Sequence, residues 1–426
     1  MTHTWRTRAA RLAPTAILLG ALAGCGDSNA TGPSPVRKSD TLSTLPRSLT
    51  AVEQQAVAAS NAFGFGLMRE VLTASGPAQN VVISPFSASM ALGMVMNGTA
   101  GPTEAGIRST LGWDAASGAP AINGAYRDLS RLIGTLDSSV TLTSANAIWY
   151  RQGFAVEPAF LQTARDFFSA TVQSADFAAP ATLTAINDWA SRNTNGRIPR
   201  VLDQIEGDEM MFLLNALYFK GTWRTRFEAR DTRPRTFTTA SGQAVQLPFM
   251  HRTVGTSRLF YGTDFSMLEL PYGNGAYVMD LVVPRDGLSL ADLAGRLAGQ
   301  GLATAVQGLR DREEVPLAVP RFRITSTLQL KQPLSTLGMG QAFDCTRADF
   351  TRLTSARNTC ISFVKQDAMI DVNEEGTEAA AVTTVGIRTV SAPAEFAVDR
   401  PFLFLIRERL SNTTYFMGAV RALSAN

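Results

Sequence analysis

The sequence predicts an α+β fold in one large domain. The α+β class is what a set of short motifs quoted below implies, and the single domain follows from the arrangement and composition of the chain. Seven short motifs follow one another over roughly residues 55–424 of the 426-residue chain. No composition break, long linker or internal repeat interrupts that range, so one domain fits better than the two or three that length alone would suggest. Apolar residues make up 45% of the chain, which is ample for a large core.

The N-terminus is typical of a bacterial lipoprotein signal peptide covering residues 1–24. Three arginines precede an apolar run from Leu12 to Leu22, which is too short to span a membrane. The run ends in L-A-G-C at Cys25, which resembles a lipobox, where the cysteine becomes the lipidated first residue of the mature protein. The alternative is an ordinary signal peptide with an incidental cysteine.

Residues 25–50 are rich in Ser, Thr, Pro and Gly, and we expect a flexible, lipid-anchored tether ahead of a domain at 51–426. Several acyl chains on Cys25 would hold the protein firmly to a bacterial membrane outside the cytoplasm. Gly26 is not the aspartate-type retention signal of an inner membrane, which favours an outer membrane or cell surface. The lipid is the only membrane contact expected, and we expect a monomer.

The seven motifs occur in one fixed order along the chain. They are N-V-V-I-S-P-F-S (Asn80–Ser87) with N-G-T-A-G (Asn97–Gly101), N-A-L-Y-F-K-G-T-W (Asn215–Trp223), L-E-L-P-Y (Leu268–Tyr272), V-P-R-F (Val319–Phe322), L-G-M (Leu337–Met339) with A-D-F (Ala348–Phe350), N-E-E-G-T-E-A-A-A (Asn373–Ala381) and R-P-F-L-F (Arg400–Phe404). Together they resemble the serpins, the serine protease inhibitor family. The resemblance implies an α+β fold with three β-sheets, eight to nine helices and a reactive-centre loop exposed from about residue 376 to 396.

The segment 373–391 alternates small or apolar residues with polar ones, which is the period of a half-buried strand. Its first part resembles the serpin hinge, made here of Glu374, Glu375, Gly376, Thr377, Glu378, Ala379, Ala380 and Ala381. In this family a protease cuts the loop, and the hinge half then inserts into the main sheet before the acyl-enzyme hydrolyses. Because no inward-facing position is bulky, charged or proline, we favour an inhibitor. A non-inhibitory surface binding protein is the alternative.

The resemblance also places the bond that the protease would cut. Counting forward from Glu374 and back from Pro401 gives the same bond, Val390-Ser391. A valine suits a shallow apolar pocket, so we expect an elastase-like target. Arg388 is the runner-up and would suit a trypsin-like protease, and Thr389 is a lesser possibility.

Other matched positions are expected to support the moving sheet. Ser84, Ser87 and Asn215 resemble a polar cluster beneath its opening point, which the family often completes with a histidine where this chain has Gln366. Trp223 resembles the aromatic residue at the top of the sheet, where the loop first enters. Glu374 and Arg321 match positions that often form an ion pair.

Three cysteines occur, and Cys25 is assigned to lipid. Cys345 and Cys360 flank the A-D-F motif at positions where the family usually has no cysteine. Thiols outside the cytoplasm tend to oxidise, so we favour a disulfide over two buried thiols.

Little in the chain indicates catalysis. Removal of the signal leaves His251 as the single histidine, too few for the usual triads and zinc sites, and it reads as structural. No hydrolase elbow, metal motif or phosphate-binding loop is present, so we expect no enzyme activity, metal or cofactor. The net charge is +3, and Arg127 with Arg131 reads as a solvated helix face rather than a nucleic-acid site.

Overall fold

The computed structural model describes residues 41–253, 255–377 and 395–424, which belong to one compact unit. Within these ranges nine α-helices are found: α1 (Ala51–Ala74), α2 (Pro85–Met96), α3 (Gly101–Thr110), α4 (Ala119–Ile133), α5 (Pro158–Phe168), α6 (Pro180–Asn193), α7 (Leu290–Leu297), α8 (Gly301–Gly308) and α9 (Lys331–Leu334). Short helical turns add Ala229–Asp231, Ser335–Met339 and Gly340–Phe343. No helix of the described ranges is long and apolar enough to cross a membrane.

The strands form three sheets. The seven-stranded sheet has the order β1 (Val81–Ile83), β17 (Thr414–Val420), β16 (Phe402–Glu408), β9 (Tyr277–Pro284), β8 (Phe265–Pro271), β7 (Thr256–Tyr261), β10 (Arg310–Glu313). The four-stranded sheet has the order β15 (Phe396–Ala397), β11 (Leu317–Pro320), β6 (Ala244–Arg252), β5 (Arg233–Thr238). The six-stranded sheet has the order β12 (Phe322–Gln329), β13 (Lys365–Asn373), β14 (Gly376–Thr377), β4 (Met211–Thr222), β2 (Val140–Arg151), β3 (Thr171–Ala175). The expected α+β architecture of three sheets and eight to nine helices is confirmed.

Local sequence explains the first helix. Thr50 and Glu53 form a capping box, in which the Thr50 hydroxyl accepts from the Glu53 N–H and the Glu53 carboxylate accepts from the Thr50 N–H. These two bonds satisfy backbone donors that the first turn would otherwise leave unpaired. Helix α2 is buried almost throughout and contacts both β17 and β4, as expected for a helix that is apolar on all sides.

The seven-stranded sheet holds the densest core. Every residue of β9, β16 and β17 is buried. Arg407 on β16 lies among them with a fully buried side chain. Its guanidinium donates to Asp280 on β9, with Nε 2.5 Å from Oδ2, and to Glu269 on β8. Charges this deep are tolerated because the two carboxylates and the guanidinium satisfy one another.

Part of the segment 41–50, which precedes α1, contacts the domain, although we expected this segment to belong to the tether. The Leu42 N–H donates to the Asn274 carbonyl at 3.0 Å, and Arg409 donates to the Leu42 carbonyl. Leu45 and Leu49 pack against the core. Three leucines within eight residues supply enough apolar surface to hold the segment down, which composition alone did not suggest.

Candidate functional site

A two-residue strand lies between two long strands of the six-stranded sheet. Strand β14 pairs antiparallel with the end of β13 and with the end of β4, so Gly376 lies opposite both Asn373 and Thr222. Gly376 has φ of 154°, and a Cβ atom there would lie 2.0 Å from the Gly221 carbonyl oxygen. Only glycine fits this position, because any side chain would overlap the neighbouring backbone.

The side chain of Thr377 is also held in place. It is buried, and its hydroxyl lies 2.7 Å from the Tyr272 hydroxyl. The Tyr272 ring stacks on Trp223, with ring centroids 4.4 Å apart and planes 14° from parallel. Burial raises the pKa of Tyr272 well above its usual range, although the bond to Thr377 opposes this shift. The phenol is therefore a neutral partner for the threonine hydroxyl.

The residues just before β14 are held by backbone and charge contacts. Glu374 is buried, and its Oε1 accepts from Arg321 Nε at 2.6 Å and from the Thr232 hydroxyl. Its carbonyl oxygen accepts from the Phe227 N–H at 2.9 Å. The structure thus brings Glu374 and Arg321 together as the expected ion pair. Thr232 and Phe227 were not expected, since they lie about 145 residues away in the chain.

Trp223 also contacts this turn directly. Its backbone N–H donates to the Glu375 carbonyl at 2.7 Å, and its indole Nε1 donates to the Asn373 carbonyl at 2.8 Å. Trp223 therefore lies directly after β4, in contact with the residues that lead into β14.

Beneath Thr377, strands β13 and β4 are not joined by a hydrogen-bonded ladder in the described part of the chain. A cavity of about 600 Å³ lies lower down, at the other ends of these two strands. It is lined by Met211–Ala216 of β4, by Lys365–Asp367 of β13, and by residues of α2 and α6. A much smaller cavity directly beneath Thr377 is bordered by the same two strands. Both cavities follow the line along which β14 would continue.

The expected polar cluster is only partly brought together. The Ser84 N–H donates to Gln366 Oε1 at 3.0 Å, whereas the buried hydroxyls of Ser84 and Ser87 have no hydrogen-bond partner among the described residues. Asn215 lines the large cavity with Gln366 but donates to Asn146 Oδ1 instead, at 2.8 Å. Sequence reasoning missed Asn146, which lies directly opposite Asn215 in the β2–β4 ladder. The available signal was Asn146 itself, a polar residue within the strand-like sequence of β2.

The chain after residue 394 is anchored in the four-stranded sheet. The Phe396 N–H donates to the Pro316 carbonyl at 2.8 Å, and β15 runs parallel to β11. Glu395 accepts from Arg235, and His251 Nδ1 lies 3.6 Å from its carboxylate. Burial lowers the pKa of His251 below its usual range, and the positive charge of Arg233 adds to this effect.

Cys345 and Cys360 are joined by a disulfide, with Cα atoms 4.6 Å apart. Both residues border the large cavity. Several other expectations lie outside the described residues: Cys25, the later hinge residues Glu378, Ala379, Ala380 and Ala381, and the reactive-bond candidates Arg388, Thr389, Val390 and Ser391.

Comparison with known proteins supports the same grouping. The family described as Serpin (serine protease inhibitor) matches residues 58–423. An uncharacterized serpin-like protein of Thermococcus kodakarensis is 33% identical over 399 residues, covering 91% of each chain. Glia-derived nexin of Mus musculus is 31% identical over 358 residues, covering 81% of this chain and 88% of its own.

Among solved structures, the thermophilic serpin tengpin in the native state superimposes with a TM-score of 0.79. It is 27% identical, and the match covers 88% of this chain and 96% of tengpin. Members of this family are mostly protease inhibitors rather than catalytic enzymes. The family match covers most of the chain, and it agrees with the three sheets and with the pairing of Gly376 and Thr377 between β13 and β4. The chain therefore belongs to the serpin family.

Proposed function

We propose that this protein is an irreversible, suicide-substrate inhibitor of an elastase-like serine protease. The observation that carries the proposal is the position of Gly376 and Thr377, which pair with β13 and β4 above cavities that follow the same line. Insertion needs residues of little volume at the entry, a partner strand on either side and space below. The described part of the hinge meets all three conditions.

The chemistry of the reaction belongs to the protease. Its serine attacks the carbonyl of Val390, the Val390-Ser391 bond breaks, and an acyl-enzyme forms. Residues from Glu378 onward then follow Thr377 between β13 and β4, and the attached protease moves with them. Inhibition requires that insertion be faster than hydrolysis of the acyl-enzyme. Insertion is favoured because the new strand forms main-chain hydrogen bonds with a strand on each side, as in other cases of strand addition.

We also propose that Cys25 carries lipid and holds the domain at an outer membrane or cell surface. The support is the basic, apolar and L-A-G-C sequence before Cys25. Radiolabelled palmitate should enter the wild-type protein, and Cys25→Ala should remove both the label and the membrane association. Incorporation that persists in Cys25→Ala would contradict this assignment.

The inhibitor proposal is tested with the signal-free protein, one elastase-like protease and one trypsin-like protease. Denaturing gels should show a covalent adduct with the elastase-like protease, and mass spectrometry should locate the cut after Val390. Arg388→Gln is the matched control for register. It should leave the elastase-like adduct intact, whereas Val390→Arg should transfer adduct formation to the trypsin-like enzyme.

Two results would change the proposal. An adduct only with the trypsin-like protease, lost in Arg388→Gln, would keep the mechanism and move the cut to Arg388. Cleavage without an adduct by every protease would contradict inhibition and favour a non-inhibitory surface binding protein. Thr377→Arg, which would place a guanidinium at a buried position, gives the reference for cleavage without an adduct.

A further inference from the structure

An unusually basic stretch of chain joins the two anchors of the loop. Residues 222–235, here called the arginine segment, hold five arginines against the carboxylates Glu228 and Asp231. Its net charge is +3, as large as that of the whole 426-residue chain. The expected signal peptide itself contributes +3 through Arg6, Arg8 and Arg11, so the mature chain is neutral and its remainder outside the arginine segment carries −3.

The segment contacts both ends of the undescribed stretch 378–394. Phe227 and Thr232 both bond to Glu374, four residues before that stretch. Arg235 bonds to Glu395, the first residue after it. Arg226 and Arg233 are the chain neighbours of Phe227 and Thr232, so their backbones lie beside the hinge.

The arginines of the segment differ in how well they are paired. Arg235 is engaged by Glu395 and Asp399, and Arg224 donates to the Gly273 carbonyl. Arg230 meets Asp231 only at 3.9 Å. Arg226 and Arg233 are exposed and have no carboxylate of the described residues within 4.0 Å. Two exposed arginines beside the hinge therefore form no ion pair with the described part of the chain.

These two cations do little for the fold. Exposed ion pairs contribute little to stability, and an unpaired exposed arginine beside other arginines contributes less. Their field is screened beyond about 8 Å at physiological ionic strength. A partner experiences it only by coming close to these arginines. The expected cut at Val390 lies five residues before Glu395, which Arg235 binds, so the chain between them spans at most about 18 Å.

We propose that the arginine segment is a docking surface for the attacking protease, and that this protease carries acidic groups beside its active-site cleft. The inference rests on the proposed function, because it takes the loop to be the protease's target. Complementary charge at such a surface raises the association rate more than it lengthens the lifetime of the complex. The segment would therefore select among proteases that accept the same residue at the cut.

The experiment compares two elastase-like proteases, one acidic and one basic around the cleft, at about 20 and 200 mM salt. The test variant is Arg226→Gln/Arg233→Gln. The matched control is Arg165→Gln/Arg192→Gln, which removes two exposed arginines from α5 and α6. Arg226→Lys/Arg233→Lys keeps both positive charges but changes the side-chain shape, so it distinguishes an effect of charge from an effect of packing. The readouts are the second-order rate of loop cleavage and the binding of catalytically inactive proteases.

We expect the test variant to slow cleavage by the acidic protease about tenfold at low salt and to flatten its salt dependence. The control variant and the lysine variant should stay within about twofold of wild type. The basic protease should be unaffected or accelerated. An equal loss in the control variant, or no loss of rate or of binding with the acidic protease, would overturn the proposal.

A polyanion is the competing partner for a basic surface. Heparin and single-stranded DNA are therefore included as probes. Loss of their binding in the test variant with unchanged protease rates would assign the segment to polyanions and overturn the proposal. Because cleavage and binding are read without reference to an adduct, the two proposals can fail separately. If the test variant is cleaved more slowly and no variant forms an adduct, the inhibitor proposal fails and the docking-surface proposal stands.

Discussion

The hydroxyl pair between Thr377 and Tyr272 should control how firmly the hinge is held in the sheet. Thr377→Val keeps nearly the same shape but removes the partner of the Tyr272 hydroxyl, which lies 2.7 Å away in a fully buried site. A buried hydroxyl left without a partner costs about 1–3 kcal/mol. Water can satisfy it once β14 detaches, so the cost falls on the paired state alone.

That cost corresponds to an increase of roughly 5- to 150-fold in the opening equilibrium of β14. Hydrogen–deuterium exchange of a peptide covering residues 373–377 measures it, because the amides of the β14 ladder exchange only from the open state. The double variant Thr377→Val/Tyr272→Phe removes both hydroxyls and should return exchange to within about threefold of wild type. Thr377→Ser, which keeps a hydroxyl, is the matched control.

Two results would refute this reasoning. If Thr377→Val exchanged like wild type, the hydroxyl pair would contribute nothing to holding β14. If the double variant exchanged as fast as Thr377→Val, the faster exchange of β14 would come from altered packing and not from an unpaired Tyr272 hydroxyl. A peptide from β16, which belongs to the seven-stranded sheet and does not pair with β14, should exchange equally in all four proteins.

Three further predictions concern the hinge, the disulfide and the single histidine. Gly376→Ala should expel β14 because its Cβ would lie 2.0 Å from a carbonyl oxygen of β4; gels should show less adduct and more clean cleavage, and wild-type adduct yield would contradict the overlap. Replacing Cys345 and Cys360 by serine should lower the free energy of unfolding by about 3 kcal/mol for a loop of this length, as measured in urea; a reductant should weaken wild type and leave the serine variant unchanged. The pKa of His251 is lowered by burial and by Arg233. The folded state therefore disfavours the protonated imidazole, and the free energy of unfolding should fall as pH drops below 6.5. Nuclear magnetic resonance of the signal-free protein should give a pKa below 6.5 that rises in Arg233→Gln, and a value at or above 6.5 in wild type would be the contrary result.

Local motifs were enough to predict the fold and the identity of the hinge. Glu374 and Arg321 could be paired from the sequence, because both positions lie inside matched motifs. Gly376 likewise lay inside the matched hinge motif. The ion pair itself spans 53 positions, so its prediction came from the family resemblance and not from neighbouring residues.

Contacts across the sheets could not be predicted in the same way. Tyr272 stood in the quoted L-E-L-P-Y motif, yet its bond to Thr377 spans 105 positions and depends on where two sheets meet. Asn215 was assigned to a cluster with Ser84, but its partner is Asn146, which was set by the register of β2 against β4. Register and sheet-to-sheet distance are properties of the assembled fold, and no local pattern encodes them.

The position of β16 and β17 inside the seven-stranded sheet has a consequence for any cut in the loop. Both strands follow the loop in the chain, yet they lie between β1 and β9, which precede it. Arg407 on β16 is bound by Asp280 and Glu269 from the other side of the cut. Cleavage would thus produce a two-chain protein whose small C-terminal fragment stays enclosed and leaves only on denaturation. Size-exclusion chromatography would register no change, while a denaturing gel would show two pieces.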